Sequence, residues 1–210
     1  MKVLLVNGSP HKEGCTYTAL KEVEKTLNED GIDTEIFWLG TKPMPGCTAC
    51  MSCSKTGKCV FDDEVNEFLE KAKEADGFIF GSPVHFAGAS GAITSFMDRV
   101  FYAGMQSGGK LFAYKPAACV VSARRGGTTA THDQLNKYFG IVQMPIISSK
   151  YWNMVHGNSP EEAAQDKEGM QVMRILGRNT AYFLKCKEAG EKAGIELPKQ
   201  EEPMRTNFIR

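Results

Sequence analysis

Four cysteines lie close together in the first third of the chain, at Cys47, Cys50, Cys53 and Cys59. Their spacing, C-x2-C-x2-C-x5-C, brings four thiolates within reach of one another on one short loop. Four thiolates are the ligand set of a [4Fe-4S] cluster, and the first three spacings resemble the ferredoxin run. Gly57, in the longer last gap, permits a tight return of the chain. The sequence therefore predicts a cysteine-rich metal or redox loop over residues 43–62.

The spacing leaves the identity of the metal open. Tetrathiolate zinc remains an alternative, although zinc sites usually show two separated pairs of cysteines rather than one compact run. Two further cysteines lie in different surroundings. Cys119 falls within an apolar strand pattern and Cys186 on a terminal helix, so we expect both to be structural.

A second chemical segment, Gly8–Thr16 with the sequence GSPHKEGCT, joins the first predicted strand to the first predicted helix. Unpaired amides and the helix dipole create an anion site at such a junction. The hydroxyls of Ser9 and Thr16 can donate to phosphate oxygens, glycines let the backbone close around them, and Lys12 adds positive charge. We interpret this segment as a phosphate loop.

The alternative for the phosphate loop is a plain capped turn. Its position after the first strand of an alternating strand and helix pattern favours the phosphate site. The loop is neither a Walker A sequence nor GxGxxG, which disfavours an ATPase and a dinucleotide dehydrogenase. A mononucleotide such as FMN is the preferred ligand.

Strand and helix patterns alternate along the chain. Buried-strand patterns occur at residues 2–7, 34–39, 77–81, 117–122 and 145–148. Helical patterns lie between them, Asp62 and Asp63 can cap one of these helices, and a long helix is predicted from Pro160 to about Ala189. This α/β pattern predicts a doubly wound, five-stranded parallel sheet with helices on both faces and ligands at the carboxyl ends of the strands.

Length and charge limit the remaining possibilities. We expect one domain over residues 1–195 and a C-terminal extension over residues 196–210. Basic and acidic residues are equal in number, 25 of each, so we expect neither a nucleic-acid partner nor a membrane partner. Seven cysteines without a secretory signal fit a reducing compartment, so we expect a cytoplasmic protein.

Four segments, in order, resemble the NADPH-dependent FMN reductase group of the flavodoxin-like superfamily, especially its iron-sulfur flavoprotein branch: NGSPHKEGCT, PGCTACMSCSKTGKCVFDD, GSPVHFAGASGAITSFMDR and SARRGGTTATHDQL. The resemblance covers nearly the whole chain. It implies a flavodoxin-like sheet of order 2-1-3-4-5, bound FMN, NAD(P)H as a transient co-substrate and a homodimer or homotetramer. It also implies that the cysteine loop holds a [4Fe-4S] cluster or, as in some relatives, no metal, with reduced thiols or a disulfide.

The resemblance further implies that three loops contact FMN. The phosphate would meet Ser9, His11, Lys12, Cys15 and Thr16. The isoalloxazine ring would be bordered on one side by Pro83, Val84, His85 and Phe86, and on its other edge by Ser122, Arg124, Arg125, Gly126 and Gly127. His85 is often Tyr in these relatives, and Cys15 stands where Asn or Ser is commoner.

Three of these side chains carry alternative interpretations. His85 is a candidate proton donor to the reduced flavin, the alternative being a hydrogen-bonded loop histidine. Arg124 and Arg125 can stabilise the negative charge of the reduced flavin, the alternative being solvated surface arginines. Val84 is predicted to border the flavin ring, and the alternative is that it is an ordinary residue of the hydrophobic core.

The predicted function is that of an FMN-dependent oxidoreductase. It would move electrons from NAD(P)H or another low-potential donor through FMN to a small acceptor or to the cysteine-bound cluster. One alternative is a non-enzymatic electron carrier that serves a redox protein. Another is a thiol or metal redox sensor.

Overall fold

The computed structural model describes residues 1–202, 204 and 206–208. Its strands are β1 (Lys2–Asn7), β2 (Asp33–Trp38), β3 (Gly77–His85), β4 (Gly88–Ala89), β5 (Ala117–Ala123) and β6 (Met154–His156). Five of them form a parallel sheet in the order β2-β1-β3-β5-β6. The predicted doubly wound arrangement is confirmed, because this order is the predicted 2-1-3-4-5 once the short β4, which pairs antiparallel with β3, is set aside.

The last parallel strand lies later in the chain than the sequence predicts. The segment predicted as a strand, residues 145–148, makes only one isolated parallel bridge, between Ile146 and Ala117. The chain then leaves the sheet edge and returns to it at Asn153, whose carbonyl accepts a hydrogen bond from the amide of Val121 at 2.9 Å. The prediction of a strand near Pro145 was wrong. Two separate segments pair with the edge of β5, namely the isolated bridge at Ile146 and the strand β6.

The helices are α1 (Cys15–Glu29), α2 (Cys53–Thr56), α3 (Glu64–Lys73), α4 (Gly91–Gln106), α5 (Thr128–Ile141), α6 (Pro160–Gln165) and α7 (Lys167–Lys192). One face of the sheet packs against α1 and α7. The other packs against α3, α4 and α5 through an aromatic cluster that includes Phe68, Phe80 and Phe96. Because both faces of the sheet are covered by helices, the central strands appear in the sequence as continuous apolar runs.

Cap residues decide where two helices begin. Asp63 is the N-cap of α3, and its carboxylate accepts from the amide of Val65 at 3.1 Å, as the sequence predicts. The single long helix predicted from Pro160 is wrong, because Asp166 interrupts it and caps α7 by accepting from the Gly169 amide at 2.9 Å. The other oxygen of Asp166 accepts from the His156 amide at 2.8 Å, which ties α7 to β6.

The end of the chain follows α7 without regular secondary structure. Of the predicted extension over residues 196–210, positions Pro203, Arg205, Ile209 and Arg210 lie outside the described residues. The Gln200 amide donates to the Tyr114 hydroxyl at 2.5 Å, so the described part contacts the loop before β5. Among the described residues, none of the helices is both long enough and apolar enough to cross a membrane.

Candidate functional site

The phosphate loop (residues 8–16) is shaped by Asn7, the last residue of β1. The buried side chain of Asn7 accepts from the Ser9 amide at 3.1 Å and donates to the Lys12 carbonyl at 3.0 Å. The Ser9 hydroxyl in turn accepts from the His11 amide at 3.1 Å. One amide side chain therefore holds both arms of the loop, and it is a residue that the sequence analysis missed.

The loop leads into a helix end that is open to an anion. α1 begins after Gly14, which offers no side-chain cap, so the first-turn amides have no acceptor within the helix. The loop also closes tightly, since a Cβ on Gly14 would lie 2.9 Å from the Cβ of His11. Free amides, a positive dipole end and a cradle without a side chain fit a phosphate monoester.

Two hydroxyls at this helix end meet across the fold. Thr16, in the first turn of α1, lies 2.8 Å from the hydroxyl of Ser122 in β5, and both residues are buried. The structure thus brings together two predicted cofactor contacts that are 106 positions apart in the chain. Each hydroxyl keeps further hydrogen-bonding capacity for a ligand oxygen.

The remaining predicted phosphate contacts have different surroundings. His11 and Lys12 are exposed, and the Lys12 ammonium lies 5.8 Å from the centroid of the Trp38 ring. The thiol of Cys15 lies 3.6 Å from the Gly157 carbonyl. Burial raises the pKa of Cys15, and the nearby Glu162 and Glu161 add to this shift, so the side chain remains a thiol that links α1 to the loop after β6.

The second predicted loop is a hairpin formed by β3 and β4. His85 pairs with Gly88, and the two residues between them, Phe86 and Ala87, have φ values of 50° and 60°. Two successive left-handed residues are typical of a type I′ turn, a conformation that side chains other than glycine adopt at a cost. His85 and Phe86 are exposed at the tip, whereas Val84 packs against the core.

The third predicted loop, residues 122–127, lies beside this hairpin. Arg124 and Arg125 are exposed, and Gly127 has a φ of 98° and begins α5 without a side-chain cap. A Cβ on Gly127 would lie 2.7 Å from the Cα of Ala87, so the two loops are in contact. The Ala89 amide also donates to the Gln134 side chain of α5 at 3.0 Å.

Ser90 joins the hairpin to the phosphate loop. Its hydroxyl donates to the Gly8 carbonyl at 2.9 Å, and its amide donates to the Ser82 hydroxyl at 3.1 Å. The three predicted FMN loops therefore form one connected surface at the carboxyl ends of β1, β3 and β5. Parallel sheets of this kind bind their ligands at that edge.

The four cysteines of the 43–62 loop line one cavity, which we call the cysteine pocket; Arg99 and Tyr102 of α4 complete its wall. Cys47 and Cys50 are exposed, Cys59 is half-buried and Cys53 is buried. Burial raises the pKa of Cys53, its own backbone amide lowers it, and the other three thiols raise it further. The structure therefore brings all four cysteines to the same cavity.

The cysteine pocket offers four sulfur donors to a metal ion or a cluster. No three His, Cys, Asp or Glu side chains among residues 1–202, 204 and 206–208 converge closely enough to hold a single ion. A single zinc ion with Zn–S bonds of about 2.3 Å needs thiolates in close tetrahedral contact. Four thiols around one cavity are also the donor set of a [4Fe-4S] cluster, in which each thiolate binds a different iron atom.

Arg99 is the second residue of the candidate site that the sequence analysis missed. It lies in α4, is only 2% exposed, and forms a two-pronged ion pair with Asp63 in which both N–O distances are 2.7 Å. Its Nε donates to the Cys59 sulfur at 3.2 Å. The sequence does contain a signal for this ion pair. Arg99 lies on an otherwise apolar helix face, and a buried arginine needs an acidic partner such as Asp63.

Comparison with known proteins identifies the family. Residues 1–159 match the family model described as NADPH-dependent FMN reductase. An iron-sulfur flavoprotein of Methanocaldococcus jannaschii is 35% identical over 192 residues, which cover 88% of this chain and 98% of that protein.

Solved structures support the same fold. A flavodoxin from the domain Archaea matches with a TM-score of 0.60 and 13% identity, covering 88% of this chain and 99% of that chain. RosB with bound 8-demethyl-8-formylriboflavin-5'-phosphate matches with a TM-score of 0.67 and 15% identity, covering 100% of this chain and 92% of that chain. The predicted flavodoxin-like fold is confirmed, and the chain is an FMN flavoprotein oxidoreductase that belongs to the NADPH-dependent FMN reductase family.

Proposed function

We propose that this flavoprotein takes electrons from NAD(P)H or another low-potential donor and passes them through FMN to a small acceptor or to a [4Fe-4S] cluster. The cluster would be held by Cys47, Cys50, Cys53 and Cys59. The observation that carries this proposal is the arrangement of all four thiols around one cavity. The name of the Methanocaldococcus jannaschii relative supports it.

Bound FMN would supply two-electron chemistry toward a hydride donor and one-electron chemistry toward a one-electron centre. The chain itself supplies binding and orientation. The amides of the first turn of α1, together with the hydroxyls of Ser9 and Thr16, would hold the phosphate. Pro83, Val84, His85 and Phe86 would border the ring from one side, and residues 122–127 from the other.

The arginines of the third loop have an electrostatic role in this proposal. Arg124 and Arg125 are exposed beside the hairpin, and neither forms an ion pair with another part of the described chain. Their charges are thus available to the negative charge of the reduced flavin. Replacement of both by Gln is expected to lower the flavin midpoint potential in a redox titration.

His85 is proposed to move a proton between the flavin and solvent. Its exposed position at the end of β3 gives it direct exchange with water. His85→Phe is expected to slow flavin turnover without loss of bound FMN. Unchanged turnover and flavin potential in this variant would assign His85 a structural role in the hairpin.

Both sites depend on α4, which begins directly after Ser90 at the flavin loops. Arg99, in the wall of the cysteine pocket, lies eight residues beyond Gly91, or about 12 Å along the helix axis. One rigid helix therefore fixes the separation between the flavin loops and the cysteine pocket within a chain.

The first test is to purify the protein without oxygen and to measure iron and acid-labile sulfide per FMN. About four of each per flavin would support the proposal. Cys50→Ala is expected to lose iron and sulfide, whereas Cys186→Ala, on the exposed face of α7, is the matched control that retains them. Flavin without iron or sulfide in the wild type would refute the cluster.

The second test measures steady-state oxidation of NADH or NADPH with a quinone acceptor. Turnover would support a reductase, whereas a carrier for a redox protein would show little. A thiol or metal sensor would respond even after loss of flavin. A homodimer or homotetramer in the cytoplasm stays a prediction, and light scattering of the FMN-loaded protein tests its stoichiometry.

A further inference from the structure

We propose that Arg99 is a positioning residue that holds the Cys59 thiolate in place and sets the reduction potential of the cluster through a hydrogen bond to the Cys59 sulfur. This inference rests on the proposed cluster function. It concerns a side chain that belongs to α4 rather than to the cysteine loop.

The geometry leaves one donor of Arg99 directed at the sulfur. The two terminal nitrogens each contact one oxygen of Asp63 at 2.7 Å. This fork fixes the plane of the guanidinium, and the Phe61 ring packs with its centroid 4.9 Å from the central carbon. In that orientation the remaining nitrogen, Nε, lies 3.2 Å from the Cys59 sulfur.

The same side chain connects the two ends of the cysteine loop. One terminal nitrogen of Arg99 also donates to the carbonyl of Pro45, two residues before the first cysteine, at 3.3 Å. Cys59 and Asp63 lie after the last cysteine gap. Arg99 thus binds the loop where it arrives at α4 and where it leaves toward α3.

Asn66 of α3 fixes the backbone of Cys59. Its side chain accepts from the Cys59 amide at 2.8 Å and donates to the Cys59 carbonyl at 3.0 Å. Cys59 is therefore held at its backbone by Asn66 and at its sulfur by Arg99. Cys47 and Cys50, by contrast, are exposed. The fourth thiol is thus preorganised by the fold.

The hydrogen bond has an electrostatic consequence. Arg99 and Asp63 together carry no net charge, so their long-range effect on the cluster is small. The Nε–H dipole, however, points at one half-buried sulfur from a guanidinium group that is itself buried, where a hydrogen bond is stronger than in water. Hydrogen bonds to cluster sulfur atoms are among the features that set the reduction potential, and they favour the more negative, reduced form.

The test is a redox titration of the purified holoprotein, followed by electron paramagnetic resonance for the cluster and by absorbance for FMN. Arg99→Lys keeps the positive charge but loses the fixed Nε donor. The double variant Arg99→Gln with Asp63→Asn removes donor and ion pair together without leaving a buried, unpaired carboxylate. We expect both to shift the cluster midpoint to more negative values while the FMN midpoint remains unchanged.

Two variants serve as matched controls. Asp63→Asn alone retains the Arg99 donor and is expected to shift the cluster midpoint less than either Arg99 variant. Tyr102→Phe alters the same helix and the same cavity wall but removes a hydroxyl that contacts Met51, not a cysteine. It is expected to leave the midpoint unchanged.

The outcomes separate this inference from the proposed function. A wild type with full iron and sulfide, and Arg99 variants with an unchanged cluster midpoint, would overturn the inference alone. Equal cluster loss in Asp63→Asn and both Arg99 variants would also overturn it, because that result indicates a purely structural ion pair. A wild type without iron or sulfide would overturn the proposed function and this inference together.

Discussion

The hydroxyls of Thr16 and Ser122 lie 2.8 Å apart and join the first turn of α1 to β5 beside the phosphate loop. Thr16→Val keeps the shape of the side chain and removes the hydroxyl. A hydrogen bond to a charged group contributes about 1.5–3 kcal/mol, so the Kd for FMN should rise roughly 10- to 100-fold. Flavin fluorescence titration of the apoprotein measures this change.

Riboflavin, which lacks the phosphate, distinguishes a phosphate contact from a general loss of structure. Thr16→Val should weaken riboflavin binding little. Thr18→Val, two residues further along α1, removes a hydroxyl that donates to the Gly14 carbonyl and is the matched control. An equal loss for FMN and riboflavin would contradict a phosphate role for Thr16.

Asn7 should control both the stability and the ligand affinity of the phosphate loop. Asn7→Leu leaves the Ser9 amide and the Lys12 carbonyl without their partner. The expected loss is about 1–3 kcal/mol in the free energy of unfolding of the apoprotein. Urea denaturation measures it. Asn158→Ala, at an exposed position, should change stability by less than about 0.5 kcal/mol.

Gly127 and Gly126 offer a matched pair of glycines in the third loop. Gly127 has a φ of 98°, and a Cβ there would lie 2.7 Å from the Cα of Ala87. Gly127→Ala should therefore displace the hairpin, weaken FMN binding and lower the free energy of unfolding by roughly 1–3 kcal/mol. A Cβ on Gly126 meets no protein atom within 4 Å, so Gly126→Ala should leave the free energy of unfolding of the apoprotein nearly unchanged.

His132 should make the protein less stable in mild acid. Burial lowers the pKa of His132 from its usual value of 6.5, and the nearby Asp133 acts in the opposite direction. The unfolded chain therefore takes up the proton more readily, and the folded state loses stability as the pH falls through about 6.5. In His132→Gln, the free energy of unfolding should fall less between about pH 7.5 and pH 5.5.

The control for this pH dependence is His11→Gln, which alters an exposed histidine of the apoprotein. Its unfolding profile should follow the wild type across the same range. A His132→Gln profile parallel to the wild type would show that protonation of His132 does not affect folding.

The parallel sheet was predictable because its central strands are buried on both faces and appear as uninterrupted apolar runs. Asp63 was predictable as a helix cap for a similarly local reason. The segment near Pro145 misled the prediction, since an apolar run reports burial and not pairing. Ile146 is apolar, yet it makes only an isolated bridge at the edge of β5.

The candidate site was predictable as a set of loops but not as a set of contacts. The roles of Asn7 and Arg99 depend on partners that only the folded chain brings near, such as Asp63, 36 residues before Arg99. The turn at the hairpin tip was also not predictable, because its central positions hold Phe86 and Ala87 instead of the glycine or asparagine that is usual in such a turn. Contact between Phe86 and the flavin ring stays a prediction.

The ends of the cysteine loop are tied to α3 and α4 by Asn66 and Arg99, while Cys47 and Cys50 remain open to solvent. Many small metal-binding domains fold only around their metal. In this chain Cys53 itself packs into the apolar core, and the ends of the cysteine loop are anchored to neighbouring helices. For the proposed cluster, iron and sulfide would therefore enter from the solvent side, where Cys47 and Cys50 are exposed.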